Sequence, residues 1–167
     1  RKGVRYLLKA YRIIKERFPQ SRLILVGPGD RSRHEYERWV RSVKLEDVVF
    51  KGHVPYVDLP RYYRTADVFC MPAVGQESFG LVLLEAMAAG KPIVASNIEG
   101  YASVVNDGID GILVKPRDEV ALASAITTLV NDENRRQQMI QKGREKAHSL
   151  NWTSIAQRTL DFYTELS

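Results

Sequence analysis

The sequence has one cysteine, no long hydrophobic run and no cluster of metal ligands. Cys70 lies in the apolar run 68–71, and a single cysteine cannot form an internal disulfide, so a reduced core residue is expected. No apolar stretch approaches the ~20 residues of a membrane span and no signal peptide opens the chain, which favours a cytoplasmic location. The three histidines are scattered, and no metal is expected.

Two patterns typical of nucleic-acid and dinucleotide binding are also missing. No group of lysines and arginines is interleaved with stacking aromatic residues, which disfavours nucleic acid as a partner. The turn Gly27-Pro28-Gly29-Asp30 lacks the third glycine of a dinucleotide fingerprint, which disfavours NAD. No internal repeat or low-complexity tract interrupts the chain.

The composition suits one globular domain over residues 1–167. The chain has 167 residues, 44% of them hydrophobic, which is enough for a sizeable core. The positive charge is concentrated in the first part of the chain. Up to Thr65 there are 16 Lys or Arg and 7 Asp or Glu, whereas beyond it there are 9 Lys or Arg and 13 Asp or Glu. A basic first part suits an anionic ligand or membrane headgroups, although most of these charges are explained as the solvated faces of amphipathic helices.

Apolar runs of strand length alternate with helical periodicity along the chain. Strands are predicted at 23–26, 48–50, 68–71, 93–95 and 112–114, and helices at 4–18, 32–44, 58–65, 81–89, 100–106, 118–131, 133–148 and 153–166. Asn151-Trp152-Thr153 is expected to start the last helix. The alternation predicts an α/β fold, with a Rossmann-like parallel sheet covered by helices on both faces. The continuous runs indicate strands that are buried on both sides.

The segment 77–90 reads as a loop that leads into a short helix. From Leu81 to Ala89 every side chain is apolar except Glu85, which predicts a helix buried in the domain. Burying a carboxylate costs on the order of several kcal/mol unless it is hydrogen-bonded, so Glu85 is a candidate functional residue. The alternative is a core helix in which the backbone or an arginine satisfies Glu85.

The start of this helix is a candidate anion site. Ser78 is a plausible N-cap, Gly80 removes side-chain bulk, and the first amide N–H groups of a helix attract a phosphate. Glu77 lies just before this point and Glu85 about two turns beyond it. At ~1.5 Å per residue the two carboxylates are on the order of 10 Å apart, which is about the span of a sugar, a diphosphate and a ribose in line.

These residues resemble the Glu-x7-Glu motif of retaining GT-B glycosyltransferases of family 4. Seven residues separate Glu77 from Glu85, and Ser78-Phe79-Gly80 follows the first of them. The run 77–90 is similar to the phosphatidylinositol mannosyltransferases of that family. The similarity covers nearly the whole chain, including Lys2-Gly3, Gly27-Pro28-Gly29-Asp30, Gly52-His53-Val54 and Ala66-Asp67-Val68.

The resemblance implies a site at the carboxyl ends of the strands. Glu77 would bind hydroxyls of the transferred sugar and Lys2 the β-phosphate, and these two are the catalytic candidates. Glu77 is not assigned as a nucleophile, because retaining hydrolases place two carboxylates about 5 Å apart. Glu85 would accept both ribose hydroxyls. The other expected donor-binding residues are Ser78, Phe79, Gly80, Leu81, Gly27, Gly29 and Val54; the arginine that accompanies the lysine in the family is missing.

The implied protein is the C-terminal, donor-binding half of such an enzyme. GDP-mannose is the leading donor, and a UDP-sugar is the alternative because Tyr56 and Leu59 replace the acidic residue and the lysine of the mannosyltransferases. The chain is too short for two lobes, so residues 151–167 would pack towards an N-terminal lobe that binds a lipid or glycan acceptor. The resemblance also allows peripheral association of the full enzyme with the inner face of a membrane. The non-enzyme alternative is a phosphate-binding α/β module such as a receiver. Receivers need an acidic cluster at the ends of strands, whereas Asp67 lies at the start of one, which disfavours this alternative.

The resemblance also implies a gap in the sheet. In the family, Lys2-Gly3 follows a first strand that ends in Gly-Arg, and the sequence begins just after this strand. In the usual strand order it would lie between the Leu23 strand and the Ile93 strand. Another segment or chain is expected to fill this place, or else the sheet closes up.

Overall fold

The computed structural model describes residues 1–29 and 32–165. The helices are α1 (Val4–Arg17), α2 (Arg33–Ser42), α3 (Leu59–Thr65), α4 (Leu81–Ala88), α5 (Glu99–Ala102), α6 (Glu119–Asn131), α7 (Glu133–Ser149) and α8 (Trp152–Glu165). The strands are β1 (Leu23–Val26), β2 (Val48–Gly52), β3 (Phe69–Met71), β4 (Ile93–Ser96) and β5 (Ile112–Val114). Each predicted element is present, although the helix predicted at 100–106 is reduced to four residues. Asp30 of the predicted turn and residue 166 of the last predicted helix lie outside the described residues.

The strands confirm the α/β prediction and form two parallel sheets. One sheet pairs β1 with β2, and the other has the order β3-β4-β5. Within the described ranges β1 does not pair with β3, so the sheet does not close up at the expected gap.

Among the described strands β3 forms an edge of the three-stranded sheet, so the prediction that placed the Ile93 strand at this edge was wrong. β4 pairs with β3 along one edge and with β5 along the other, so neither edge is available. The start of the chain lies beside the end of β3, where the Val74 N–H donates to the carbonyl of Arg1 at 3.0 Å. Gly3 presses against the same segment, since a β-carbon there would lie 1.7 Å from the carbonyl oxygen of Pro72. The chain order alone did not show which strand would lie next to Arg1.

Helices cover both faces of the three-stranded sheet. Side chains alternate along a strand, so β4 directs Val94 to one face and Ile93 and Ala95 to the other. Val94 belongs to a core cluster with Leu8 and Leu122, contributed by α1 and α6. The opposite cluster includes Leu83, Met87 and Tyr101, from α4 and α5. All four residues of β4 are buried, as its continuous apolar run predicts.

β1 is not buried on both faces, so the sequence prediction was wrong for this strand. Leu23 and Leu25 pack against the core, whereas Ile24 and Val26 are 39% and 38% exposed. Among the described residues, no helix covers the side chains of Ile24 and Val26 well enough to exclude water. An apolar run of four residues does not reveal whether one face or both will be covered.

The lone cysteine and the last helix agree with the sequence predictions. Cys70 is a free thiol packed against the core, and burial raises its pKa to about 12. Asn151 starts α8, because its Oδ1 accepts a hydrogen bond from the Ser154 N–H at 2.9 Å. None of the described residues of α8 is buried, and Trp152 and Phe162 are 77% and 58% exposed.

Candidate functional site

The helix α4 begins at a glycine rather than at a side-chain cap. Gly80 is the N-cap residue with φ of 82°, a left-handed conformation that favours glycine, and its carbonyl accepts a hydrogen bond from the Leu83 N–H at 2.8 Å. The expectation that Ser78 caps the helix was wrong. Ser78 lies two residues before the N-cap position, too early for its hydroxyl to act as the cap.

The helix is half-buried, which corrects the prediction of a fully buried segment. Leu83, Ala86 and Met87 face the core, whereas Leu81 is 54% exposed and Ala88 is also exposed. An all-apolar helix can therefore keep one side open to solvent at the edge of a site.

The start of α4 offers unused hydrogen-bond donors. The N–H groups of Phe79, Gly80 and Leu81 have no acceptor among residues 1–29 and 32–165. They lie where the positive end of the helix dipole is exposed, and Phe79 is itself 41% exposed. This arrangement can bind an anionic group without a lysine or arginine from the helix itself.

Glu85 is held by a tyrosine, a partner that was not considered from the sequence. The Tyr63 hydroxyl donates to Oε2 of Glu85 at 2.6 Å, and Glu85 is half-buried. The Tyr63 ring is 9% exposed and packs on Phe69 with 5.3 Å between ring centroids. Burial and then the hydrogen bond to Glu85 raise the pKa of the Tyr63 phenol. From the sequence, Tyr63 was only part of the helix predicted at 58–65.

A second tyrosine lies close to this pair. Tyr56 belongs to a short 3-10 turn, Tyr56–Asp58, and its phenol contributes electrostatically to the raised pKa of Tyr63. Tyr56 is 80% exposed. Val54, two residues earlier, is half-buried in the same connection after β2. The connection after β2 therefore comes near enough to Tyr63 for the Tyr56 phenol to affect the pKa of Tyr63.

Glu77 and Lys2 form an ion pair. Oε1 of Glu77 contacts Nζ of Lys2, and the two side chains are 15% and 47% exposed. Both candidate catalytic residues are thus brought to one place at the start of α4. Their side chains come from the beginning of the chain and from the loop after β3, so no local pattern could have paired them.

The backbone around Glu77 rests on α5. Gly100 approaches so closely that a β-carbon there would lie 2.0 Å from the carbonyl oxygen of Glu77. The neighbouring Tyr101 ring lies under Gly80, where an added β-carbon would come within 2.7 Å. The Tyr101 hydroxyl is buried and has no hydrogen-bond partner among the described residues. Burial and the negative charge of Glu77 raise the pKa of the Tyr101 phenol.

Gly27 and Gly29 lie at the carboxyl end of β1. The Gly27 N–H donates to the carbonyl of Gly52 at 2.9 Å, and φ of Gly27 is 144°, in the region that favours glycine. This bond joins the ends of β1 and β2 on one edge of their sheet. A role for Gly27, Gly29 and Val54 in binding stays a prediction.

The described residues offer neither a metal site nor a membrane-spanning helix. Within those ranges no three His, Cys, Asp or Glu side chains are grouped closely enough to hold a metal ion. None of the described helices is both long and apolar enough to cross a bilayer. The expectation that the chemistry needs no metal stays a prediction.

Solved structures with the same architecture define the class of fold. A sucrose-phosphate synthase from Thermosynechococcus elongatus is 34% identical, with a TM-score of 0.83 over 99% of this chain and 42% of that one. Anabaena HepE in complex with UDP-glucose is 26% identical, with a TM-score of 0.86 over 98% of this chain and 45% of that one. The fold is that of a GT-B glycosyltransferase domain.

Sequence comparison gives the family. Residues 1–146 match the family model described as glycosyl transferases group 1, and the chain belongs to this family. A phosphatidyl-myo-inositol mannosyltransferase from Mycobacterium leprae is 37% identical over 98% of this chain and 43% of its own length. A D-inositol 3-phosphate glycosyltransferase from Corynebacterium kroppenstedtii is 33% identical over 98% and 38%. The chain spans less than half the length of these curated relatives.

Proposed function

We propose that the chain is the donor-binding half of a retaining glycosyltransferase that moves a hexose from a nucleotide sugar. The observation that carries the proposal is the combination at α4. Unused amide donors begin the helix, an ion pair of Lys2 and Glu77 lies on one side, and Glu85 is held two turns further along. Membership of the group 1 family agrees with this proposal.

The proposed roles follow from charge and reach. The amides of Phe79, Gly80 and Leu81, with the Lys2 ammonium, stabilise the negative charge that grows on the departing diphosphate. Glu77 accepts hydrogen bonds from the sugar hydroxyls, and Glu85 accepts them from the ribose. The rest of the donor site is formed by the loops that contain Gly27, Gly29, Val54 and Ser78. In this proposal a helix N-terminus and a cation supply the electrostatic stabilisation without a metal ion.

The donor is proposed to be GDP-mannose, with a UDP-sugar as the alternative. The first is supported by the mannosyltransferase relatives. The second is supported by the complexes of HepE with UDP and UDP-glucose. Tyr56 is 80% exposed and offers an aromatic face on which either base can stack, so it does not choose between the two donors.

The remaining proposals concern the whole protein. An N-terminal lobe would bind the acceptor, a lipid or a glycan, and α8 would pack towards it through its exposed apolar side chains, such as Trp152 and Phe162. The phosphatidyl-myo-inositol in the name of the Mycobacterium leprae relative is consistent with a glycolipid acceptor. We expect the whole protein to be a cytoplasmic enzyme in peripheral contact with the inner face of a membrane, where a lipid acceptor would lie. The 167-residue chain by itself is expected to bind donor without transferring sugar, which a transfer assay on it would check.

The test is calorimetric titration of the chain with GDP, UDP and ADP. One of them should bind best. Glu85→Ala should make the binding free energy of that nucleotide less favourable by ~1.5–3 kcal/mol, the cost of losing a charged hydrogen bond. The matched control is Glu145→Ala, because Glu145 is a surface carboxylate on α7 with a lysine partner. Unchanged affinity in Glu85→Ala, or equal losses in both variants, would refute the ribose assignment.

A further inference from the structure

The hydrogen bond from Tyr63 leaves the two oxygens of Glu85 unequal. Oε2 accepts the Tyr63 hydroxyl at 2.6 Å. Oε1 receives no hydrogen bond from the part of the chain that the structure describes, residues 1–29 and 32–165. A glutamate at a helix surface would otherwise sample several rotamers, because three side-chain torsions are free to rotate. The bond therefore selects one orientation of the carboxylate.

The donor in this bond is itself rigid. The Tyr63 ring is almost fully buried and packs at 5.3 Å and 52° against Phe69, the first residue of β3. Phe69 is fixed in the sheet by its pairing with Ile93. The Tyr63 hydroxyl is thus tied to the sheet, although Glu85 lies on α4. A tyrosine phenol is protonated at ordinary pH, and burial raises its pKa further, so the hydroxyl remains a donor.

We infer that Tyr63 is a positioning residue for the donor nucleotide, holding the Glu85 carboxylate in the orientation in which it accepts the ribose hydroxyls. Tyr63 acts through Glu85 and does not itself touch the ligand. The inference rests on the proposed function, since it needs a ribose at Glu85. Its physical basis is preorganisation: a carboxylate already ordered loses less rotational freedom when the ribose binds.

The test compares ribose and 2′-deoxyribose nucleotides. The Kd values of UDP, GDP and their 2′-deoxy forms are measured for the wild type, Tyr63→Phe, Glu85→Ala and the double variant. Tyr63→Phe keeps the ring that packs on Phe69 and removes only the hydroxyl. The affinity for the better ribonucleotide should fall about threefold to tenfold, the affinity for its 2′-deoxy form should fall less, and no further loss should occur in the Glu85→Ala background.

The matched control is Tyr62→Phe. Tyr62 is the adjacent residue on α3, is half-buried, and has no hydrogen-bond partner among the described residues. Removing its hydroxyl should therefore leave the ratio of the Kd for the 2′-deoxy nucleotide to the Kd for the ribonucleotide unchanged. Thermal unfolding of each variant checks that the fold is kept. Should Tyr63→Phe not fold, Tyr63→Met removes the hydroxyl while filling apolar space, and the same ratios are expected.

The outcomes separate this inference from the proposed function. Equal losses for the ribose and deoxyribose forms, or a loss that persists in the Glu85→Ala background, would assign Tyr63 a purely structural role and overturn the inference. The proposed function would survive that result if Glu85→Ala alone still abolished the preference for ribose. If no nucleotide bound the wild type, or if Glu85→Ala left every nucleotide affinity unchanged, the proposed function and this inference would both fail.

Discussion

Lys2 and Glu77 form an ion pair across 75 residues of sequence, and the pair lies at the N-terminus of α4. Close packing of Gly3 against the Pro72 carbonyl holds Lys2 at this place. Glu77 is the less exposed partner, at 15%. The two charges neutralise each other beside the Phe79, Gly80 and Leu81 amides, which attract an anion. A diphosphate bound there would compete with Glu77 for the lysine.

Lys2→Ala should weaken binding of a nucleoside diphosphate and spare the corresponding nucleoside. The ammonium is half-exposed, so solvent screening limits the expected loss to about 1 kcal/mol, or roughly fivefold in Kd. Titration with GDP, UDP, guanosine and uridine measures it. Lys9→Ala is the control, because Lys9 lies on α1 and pairs with Glu119 at 2.9 Å. An equal loss for nucleoside and diphosphate would contradict a phosphate contact.

Gly100→Ala should displace the loop that carries Glu77. The added β-carbon would lie 2.0 Å from a backbone oxygen, which cannot give way as a flexible side chain can. Overpacking of this kind costs about 1–3 kcal/mol, and nucleotide affinity should fall with it. Urea unfolding and calorimetry measure the two effects.

The control for this substitution is Gly143→Ala. A β-carbon there would meet the Met87 side chain at 3.1 Å, and alanine is preferred over glycine within a helix. It should leave nucleotide affinity unchanged. If both alanine variants bound nucleotide like the wild type, the close contact at Gly100 would not matter for the site.

Tyr101→Phe should stabilise the chain by about 1 kcal/mol. The Tyr101 hydroxyl is buried without a hydrogen-bond partner among the described residues, and leaving a buried hydroxyl unsatisfied costs about 1–3 kcal/mol. Phenylalanine keeps the ring that supports Gly80 and removes the unsatisfied group. Chemical denaturation of both proteins checks the sign. A less stable Tyr101→Phe variant would mean that the hydroxyl has a partner, such as a buried water.

Stability above pH 9 should depend on Cys70. Burial raises the pKa of its thiol from 9.0 to about 12. The folded-state pKa is the higher one, so this contribution to the free energy of unfolding is fully present below pH 9 and is lost as the pH rises through about 12. The slope is at most ~1.4 kcal/mol per pH unit for one group. Between pH 8 and 11 the wild type should therefore lose more stability than Cys70→Ala, as measured by urea unfolding. Equal losses would indicate that the thiol titrates normally.

The elements of the fold could be predicted because their signals are local. The runs beginning at Leu23 and Ile93 have the length and composition of strands, and Gly90 ends α4 with φ of 70°. The segment around Glu77 and Glu85 could be found from the sequence because a lone carboxylate stands out in an apolar run and because the spacing resembles the Glu-x7-Glu motif. What the sequence could not show was how far each face would be covered, as at Ile24 and Leu81.

By itself, the sequence determined the order of helices and strands, the family, and the choice of Glu77 and Glu85 as the residues to examine. Only the tertiary structure decided their partners. Tyr63 reaches Glu85 across 22 residues, and Lys2 reaches Glu77 across 75. Periodicity and turn chemistry act over a few residues, whereas the partner of a carboxylate is whichever donor the packed helices and strands bring within about 3 Å. That choice exists only once the chain has folded.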